Sequence, residues 1–423
     1  MNILIVLFLF MLLGLLSTRI MRKIHLPNVT GYLLAGLIIC PTVLMLVNNW
    51  LHIFPEGFVE SYKGAVEGLS IITNVALGFI ALSIGVEFKL SNLKKTGKKI
   101  VVITILQCFL AVILVDIAIA IFAIATGMNL AVALTLGAIA SATAPAATLL
   151  VIRQYNAKGP LVDTLLPVVA LDDAVGLMVF SISFGVAKVF ATGEAITVFA
   201  VLVNPLLEII LSLAVGLLGG YLMTLISKIF KSRDNNSILL VAFTFLCVGL
   251  SQIHFHIGEE IEFQLSSLLV CMMLGATYTN LKPNCERFLH RIDEITPPLF
   301  LLFFVISGAD IDLTVIPAVG LLGVIYIVVR SLGKYFGAYI GCKMCKMDDN
   351  VSKYLGITLL PQAGVAIGMA NIARAGLGDL GNKIFTVVIF STLIYEIVGP
   401  LLTKWSLVKA GEIHQNDTDM LHF

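Results

Sequence analysis

Charge is scarce in this sequence. Only 13% of its 423 residues are Asp, Glu, Lys or Arg, whereas a soluble domain carries roughly 25%, and 59% are hydrophobic. That balance excludes a soluble globular protein. With a formal net charge of +1 and no Lys/Arg cluster backed by a soluble fold, it also gives no footing for nucleic acid. The N-terminal stretch MNILIVLFLFMLLGLLSTRI lacks a basic residue ahead of its apolar core; its basic residues come after it. This argues against a secretory signal and for a first spanning helix with its N-terminus outside. Paired cysteine motifs are missing too. Cys40, Cys108, Cys247 and Cys271 lie in apolar runs as small hydrophobes. Cys342 and Cys345 form a lone CxxC, read as free cytosolic thiols. Long polar loops are lacking as well, so no attached cytosolic regulatory domain is expected.

What is present is a series of apolar runs, each long enough to cross a hydrocarbon core of roughly 30 Å as a helix. Thirteen spans are expected: 1–20, 28–47, 67–88, 100–126, 130–152, 163–190, 196–226, 236–253, 262–280, 294–309, 314–340, 353–375 and 383–406. Basic residues test the count. Of the 27 Lys and Arg, 21 fall in one set of alternate loops with the C-terminal tail, and only Lys63, Lys188, Arg374 and Lys383 fall in the other. Arg330 and Lys334 lie inside a span. The positive-inside rule then puts the N-terminus outside and the C-terminus in the cytoplasm of a multi-pass protein of the cytoplasmic membrane.

The chain repeats itself faintly. The third span ends SIGVEFKL and the tenth ends ISGADIDL; Gly85 aligns with Gly308, Glu87 with Asp310 and Leu90 with Leu313. The two copies run in opposite orientation, which predicts an all-α fold of two inverted six-helix repeats: 1–190, a linker helix 196–226, and 236–409, before a short cytoplasmic tail 410–423. The fifth span of each copy is interrupted, by Pro145 in SATAPAATLL and by Pro361 in LLPQAGVAIG. Proline removes a helix hydrogen bond and clashes one turn back. Broken helices at matching positions of an inverted repeat point to a transporter's binding site, with carbonyls and half-helix ends near the midplane.

Two aspartates, Asp172 and Asp173, sit within the apolar sixth span VVALDDAVGLMVF. A carboxylate at the bilayer centre costs about 2.5–3.5 kcal/mol even on mild scales, and intramembrane carboxylates are functional by default. Adjacent helix positions point about 100° apart, so one can face a water-filled cavity and the other a protein partner. Burial penalises the charged form, which lets a proton compete with a cation for one oxygen. The counter-charge is expected from the eleventh span, where Arg330 and Lys334 are four apart on one helix face. Lys334 is expected to pair with Asp172, leaving Asp173 as the working site, with Arg330 as the substitute. Asp116, Glu208, Glu396 and the helix-end Glu87 read as structural, and His254 and His256, near Glu259, Glu260 and Glu262, as part of a solvated external loop.

Taken together, ASATAPAAT, LDDAVGL, LGKYFG and LLPQAGVAIG on thirteen spans resemble the monovalent cation:proton antiporter superfamily, on its NapA-type sodium/proton branch, over essentially the whole chain. The resemblance implies an NhaA/NapA-like fold and a homodimer in the lipid bilayer, built from a dimerisation domain and a mobile core that holds the crossing broken helices. It implies a secondary transporter that is not an enzyme and needs no cofactor, exchanging Na⁺ or Li⁺ for protons by alternating access. By motif, Asp173 is the cation and proton carboxylate and the Na⁺ ligand. Asp172 is its neighbour, which accompanies electrogenic exchange in relatives with an Asp-Asp pair. Lys334 matches the family lysine, and Thr143 and Gln362 fall in the crossing segments. Some relatives carry an acid in the first broken helix; SATAPAAT has none, so coordination there falls to Ser141, Thr143 and carbonyls. K⁺/H⁺ exchange on the same scaffold, or an uncoupled channel or sensor, are the alternatives. An intramembrane aspartyl protease takes its two aspartates from separate helices, not from adjacent positions on one.

Overall fold

A computed structural model of the chain describes residues 2–24, 26–55, 57–87, 90–192, 204–230, 232–257, 261–282, 286–310 and 316–413. Each expected span is occupied by helix. α1 (Ile3–Lys23) fills the first. α2 (Asn28–Ile38) and α3 (Pro41–Leu51) fill the second as a pair bent by 45°. The third is reached through α4 (Phe58–Glu67) and filled by α5 (Ser70–Glu87), and the fourth is α6 (Leu90–Thr126). α7 (Ala131–Ala140) and α8 (Pro145–Gln154) share the fifth. α9 (Pro160–Thr192), α10 (Asn204–Ile229) and α11 (Arg233–Ser251) follow. The second half continues with α12 (Ser267–Leu281), α13 (Glu286–Ala309) and α14 (Ile316–Met344). α15 (Asp349–Thr358) and the start of α16 (Gly364–Ala410) make the twelfth span. The rest of α16, beyond a kink at Gly378 (φ +54°), makes the thirteenth. Among the described residues, eight helical stretches are each long and apolar enough to cross a membrane, nine counting the bent pair, and three further apolar helices are shorter. The first residues of the expected seventh and eleventh spans and most of the tail lie outside the described residues.

The fold is all-α apart from one short hairpin among the described residues. The connection between α11 and α12 is an antiparallel hairpin, β1 (His254–Ile257) with β2 (Ile261–Gln264), in which Phe255 lies opposite Phe263. Its alternating polar and apolar residues follow the two-residue period of a strand. The ninth helix therefore begins at Ser267, after the Ser266 hydroxyl has accepted a bond from the Leu269 N–H.

The chain divides into two compact units. The first comprises residues 1–25, 31–95 and 203–312, and the second 26–30, 96–202 and 313–423. In the first, α1, α4 and α13 bury Val6, Phe10, Tyr62, Leu69 and Val305 together. Its helices also meet main chain to main chain at glycines, four of which form two reciprocal pairs. A Cβ on Gly85 of α5 would stand 1.9 Å from the Met272 carbonyl oxygen of α12, and one on Gly275 of α12 would stand 2.6 Å from the Leu82 carbonyl of α5. A Cβ on Gly308 of α13 would stand 2.3 Å from the Leu33 carbonyl of α2, and one on Gly36 of α2 2.1 Å from the Val305 carbonyl of α13. Each pair is offset by three residues on both helices. The third span thus packs on the ninth as the tenth packs on the second, which is the correspondence an inverted repeat requires.

The second unit has its own core around the interrupted helices, including Val112, Ile119, Leu136, Phe180, Tyr326 and Val387. The opposite face of α6 presents Ile113, Ile117, Ile121 and Ile124, all exposed, at a spacing of three and four that lines one side of a helix for lipid.

Candidate functional site

Both interrupted spans break where proline demands it. Ala144, just before Pro145, is extended (φ −91°, ψ 115°), and Pro145 opens α8 at a position where a missing N–H costs nothing. The second break runs from Leu359 to Ala363, whose φ of −153° and ψ of −130° are far from helical. The two breaks meet: the Ala144 N–H donates to the Pro361 carbonyl at 2.8 Å.

A helix end leaves its last four carbonyls without helical partners, and inside a membrane water cannot supply them. Side chains do so here. At the end of α7, the Gln362 Nε2 donates to Ile139 O (3.1 Å), the Arg330 Nε to Ala140 O (3.1 Å), Lys334 Nζ to Ser141 O, and Arg330 Nη2 to Ala142 O (2.6 Å). At the end of α15 the Thr148 hydroxyl reaches Thr358 O (3.3 Å), the Thr143 hydroxyl Leu359 O (3.4 Å), Arg330 Nη1 Leu360 O (2.8 Å), and the Ala144 N–H Pro361 O. Two cations at the negative end of a half-helix are favoured by its dipole as well. Arg330 is thus bound to main-chain oxygens of both breaks and stacks on the Tyr395 ring, its guanidinium carbon 4.5 Å from the centroid. It takes no carboxylate, so the Asp172 partner is Lys334.

Lys334 Nζ lies 2.9 Å from Asp172 Oδ2 and 2.9 Å from the Thr143 hydroxyl oxygen. Asp172 also accepts from the Thr143 hydroxyl, from Gln107 Nε2 and from the Cys108 thiol. Four donors, from α6, α14 and the first break, therefore saturate this carboxylate. Removing one partner of such a buried pair leaves an uncompensated charge, at a cost of about 3–5 kcal/mol.

Asp173 differs. It is 4% exposed, and its Oδ1 is buried with no hydrogen-bond partner. Both carboxylates are thus buried, one held by four donors and the other with an oxygen that has none. Ser141 is fully buried, and its hydroxyl donates to Ala138 O while Gly176, one turn beyond Asp172, gives it room.

Lys334 is placed by glycines. In LGKYFGAYIG, Gly333, Gly337 and Gly341 recur every fourth residue on α14. A Cβ at Gly333 would stand 2.6 Å from the Ala111 Cα of α6, at Gly337 2.6 Å from the Gln107 Cα, and at Gly341 3.0 Å from the Ile103 Cα. Small residues at this spacing let membrane helices approach backbone to backbone. The contact brings Lys334 and Gln107 to the same carboxylate.

Ser141, Thr143, Asp172, Asp173, Arg330, Lys334, Pro361 and Gln362 are all buried within the second unit, with Pro145 at the start of α8. The reading from sequence passed over Gln107 and took Cys108 for a small hydrophobe, whereas its thiol donates to Asp172. The available signal was a lone amide in the apolar run of α6. Asp116, also on α6, rests in the space left by Gly137, where a Cβ would stand 1.8 Å from its Oδ1. Glu396 is buried on α16, and Glu208 is half-buried on α10 of the first unit. The side chains of Glu87, His254, His256, Glu259, Glu260 and Glu262 lie outside the described residues.

Known proteins resemble the whole of this arrangement. The family described as "Sodium/hydrogen exchanger, transmembrane" matches residues 5–409. A Na(+)/H(+) antiporter of Enterococcus hirae is 24% identical over 396 residues, 92% of this chain and 94% of that protein. The K(+)/H(+) antiporter subunit KhtU of Bacillus subtilis (strain 168) is 21% identical over 398 residues, 92% of this chain and 90% of that one. Among solved structures, the sodium proton antiporter MjNhaP1 from Methanocaldococcus jannaschii superposes with a TM-score of 0.70 at 19% identity, covering 97% of this chain and 98% of that chain. A second structure of it gives 0.74 at 17%. At these identities the superpositions speak for the fold. The family match runs through both broken helices and every residue of the site: the chain belongs to the sodium/hydrogen exchanger family.

Proposed function

We propose that the protein exchanges Na⁺ or Li⁺ for protons across the cytoplasmic membrane by alternating access, with Asp173 as the shared carboxylate. The carrying observation is the contrast between neighbours: Asp172 is saturated by four donors, whereas Asp173 keeps a buried oxygen unpartnered. A buried unpartnered carboxylate oxygen demands a positive charge. A proton and a monovalent cation each supply one, and they exclude each other. Thr143 and Ser141 support the reading as oxygens at the first break, and Pro145, Pro361 and Gln362 as parts of the crossing. Lys334 is the charge partner of Asp172, and Arg330 holds the crossing's carbonyls.

The cycle follows from charge. With Asp172 neutralised by Lys334, the ionised Asp173 leaves one net negative charge in a low-dielectric site, and only its neutralised forms cross readily. If the Asp172–Lys334 pair releases a second proton, two protons exchange for one Na⁺ and each cycle moves one charge, worth about 2.3 kcal/mol per 100 mV. Exchange is then electrogenic, and a rate independent of membrane potential would remove that stoichiometry.

In this reading 1–409 is the transporting domain, the first unit its dimerisation body in a homodimer and the second the moving core. The N-terminus is outside, and the segment from 410 is cytoplasmic. No cofactor is required and no catalytic residue assigned. The similarity to KhtU supports K⁺/H⁺ exchange as the second reading. The test uses purified protein in liposomes with an internal pH dye, an imposed pH gradient, and Na⁺, Li⁺ or K⁺ added in turn. Cation-triggered proton flux is expected, with the ion order naming the substrate. No response from folded, inserted protein, or an uncoupled current, would overturn it in favour of a channel or sensor.

A further inference from the structure

Asp173 Oδ1 is not the only unsatisfied acceptor near the ion pair. Gln107, fully buried on α6, donates from Nε2 to Asp172 Oδ1, and its Nε2 also contacts Cys108 Sγ at 3.2 Å. Its carbonyl oxygen Oε1 is buried and has no hydrogen-bond partner. Amide N and O share one carbon, so Oε1 is held within a side chain's width of the Asp172 carboxylate. A buried carbonyl oxygen without a donor costs free energy, and in a native site each one calls for an explanation.

We infer that Gln107 Oε1 is a ligand for the transported monovalent cation, acting with Asp173. This rests on the antiport reading and adds a residue to it from a helix that carries no break. The chemistry suits the cargo. An amide oxygen replaces a hydration water with a strong dipole and no charge. Together, Gln107 and Asp173 carry one negative charge, matched to one monovalent ion and not to a divalent one. The position is also fixed. The Gly337 backbone of α14 presses on the Gln107 Cα, and Nε2 is anchored on a carboxylate that three other groups hold. Preorganised oxygens bind a desolvated ion without first being ordered.

The test compares wild type with Gln107→Met, which keeps the length and removes the amide, in two measurements: initial rates of cation-driven proton flux in liposomes, and the Tm rise in detergent on replacing choline chloride with NaCl or LiCl. The expected result is an apparent KM for Na⁺ and Li⁺ raised about tenfold, an altered Na⁺/Li⁺ ratio, and a Tm rise that is lost. An unchanged KM with a displaced pH profile would reduce Gln107 to a positioning residue of Asp172 and overturn the inference. If Gln107→Met fails to fold, Gln107→Asn, which withdraws the amide by one methylene, is the variant read, with the same criteria. Wild type with neither flux nor a cation-dependent Tm would sink the antiport reading itself. Wild type with both, and Gln107→Met unchanged in both, would sink this inference alone.

Discussion

Lys334 and Asp172 are 2.9 Å apart, one on α14 and the other on α9, and neither side chain is exposed. Their partners decide what each is for. Lys334 also closes the Ser141 carbonyl, so one ammonium serves both the ion pair and the end of a half-helix.

Removing that ammonium is expected to cost more than removing the pair. Lys334→Met leaves Asp172 buried and ionised, with a loss of about 3–5 kcal/mol; adding Asp172→Asn recovers part of it, although Ser141 O remains open. Tm in detergent for the two single variants and the double variant measures the coupling. Additive single losses would show that the pair is not the unit.

Asp173→Asn removes the ionisable group and keeps the volume. Its expected effect is abolition of cation-triggered proton flux with Tm unchanged or raised, since a buried unpartnered carboxylate is replaced by a neutral amide. Flux surviving in this variant would move the exchange site elsewhere.

Arg330 is bound by three main-chain oxygens on two breaks. Arg330→Lys retains the charge but cannot span that fork. A loss on the order of 3 kcal/mol or more is expected, since hydrogen bonds to charged groups contribute about 1.5–3 kcal/mol each. Thermal unfolding of Arg330→Lys at neutral pH checks this, and a variant as stable as wild type would deny that the fork holds the crossing.

Glu412 supplies a pH effect outside the membrane helices. Its carboxylate accepts from the Leu161 and Val162 N–H groups at the start of α9. Burial pushes its carboxyl up from the usual range, against the pull of those two donors. A carboxyl raised on folding holds its proton more tightly folded than unfolded, so its contribution to stability is present at acid pH and lost as pH rises through the raised value. Wild-type Tm should carry a component that grows as pH falls through the raised value, and Glu412→Gln, which keeps an acceptor oxygen without the titration, should remove it.

Much of the site was readable beforehand because membrane burial makes polar residues conspicuous. Asp172 and Asp173, the two prolines, and Arg330 with Lys334 all stand out against apolar neighbours. What stayed hidden depends on main chain. Arg330 was read as a spare partner for a carboxylate, because nothing in side-chain identity announces which carbonyls a break will leave open. Gln107 went unnoticed and Cys108 was read as a small hydrophobe for a related reason: their role comes from the Gly333, Gly337 and Gly341 contact, and a glycine pattern on one helix does not say which backbone it will meet. Gly85 and Gly308 were aligned as a repeat, yet their counterparts Gly275 and Gly36 emerged only from the packing. The hairpin between α11 and α12 was missed because four-residue strands leave too short an alternation to separate from a loop.

Those four reciprocal glycines have a consequence for how the first unit tolerates change. Where helices are held apart by side chains, one aliphatic residue can replace another and neighbours repack at a cost usually under about 1.5 kcal/mol. At Gly36, Gly85, Gly275 and Gly308 the opposing atom is a carbonyl oxygen at 2.1, 1.9, 2.6 and 2.3 Å from where a methyl would go, and a main chain cannot turn aside as a rotamer does. A saturation-mutagenesis map of this half of the molecule would therefore be a plain of interchangeable aliphatics pierced by narrow wells, these four among them. These wells come in two twinned pairs, each taking one glycine from each copy of the repeat, and alanine is already too large for any of them.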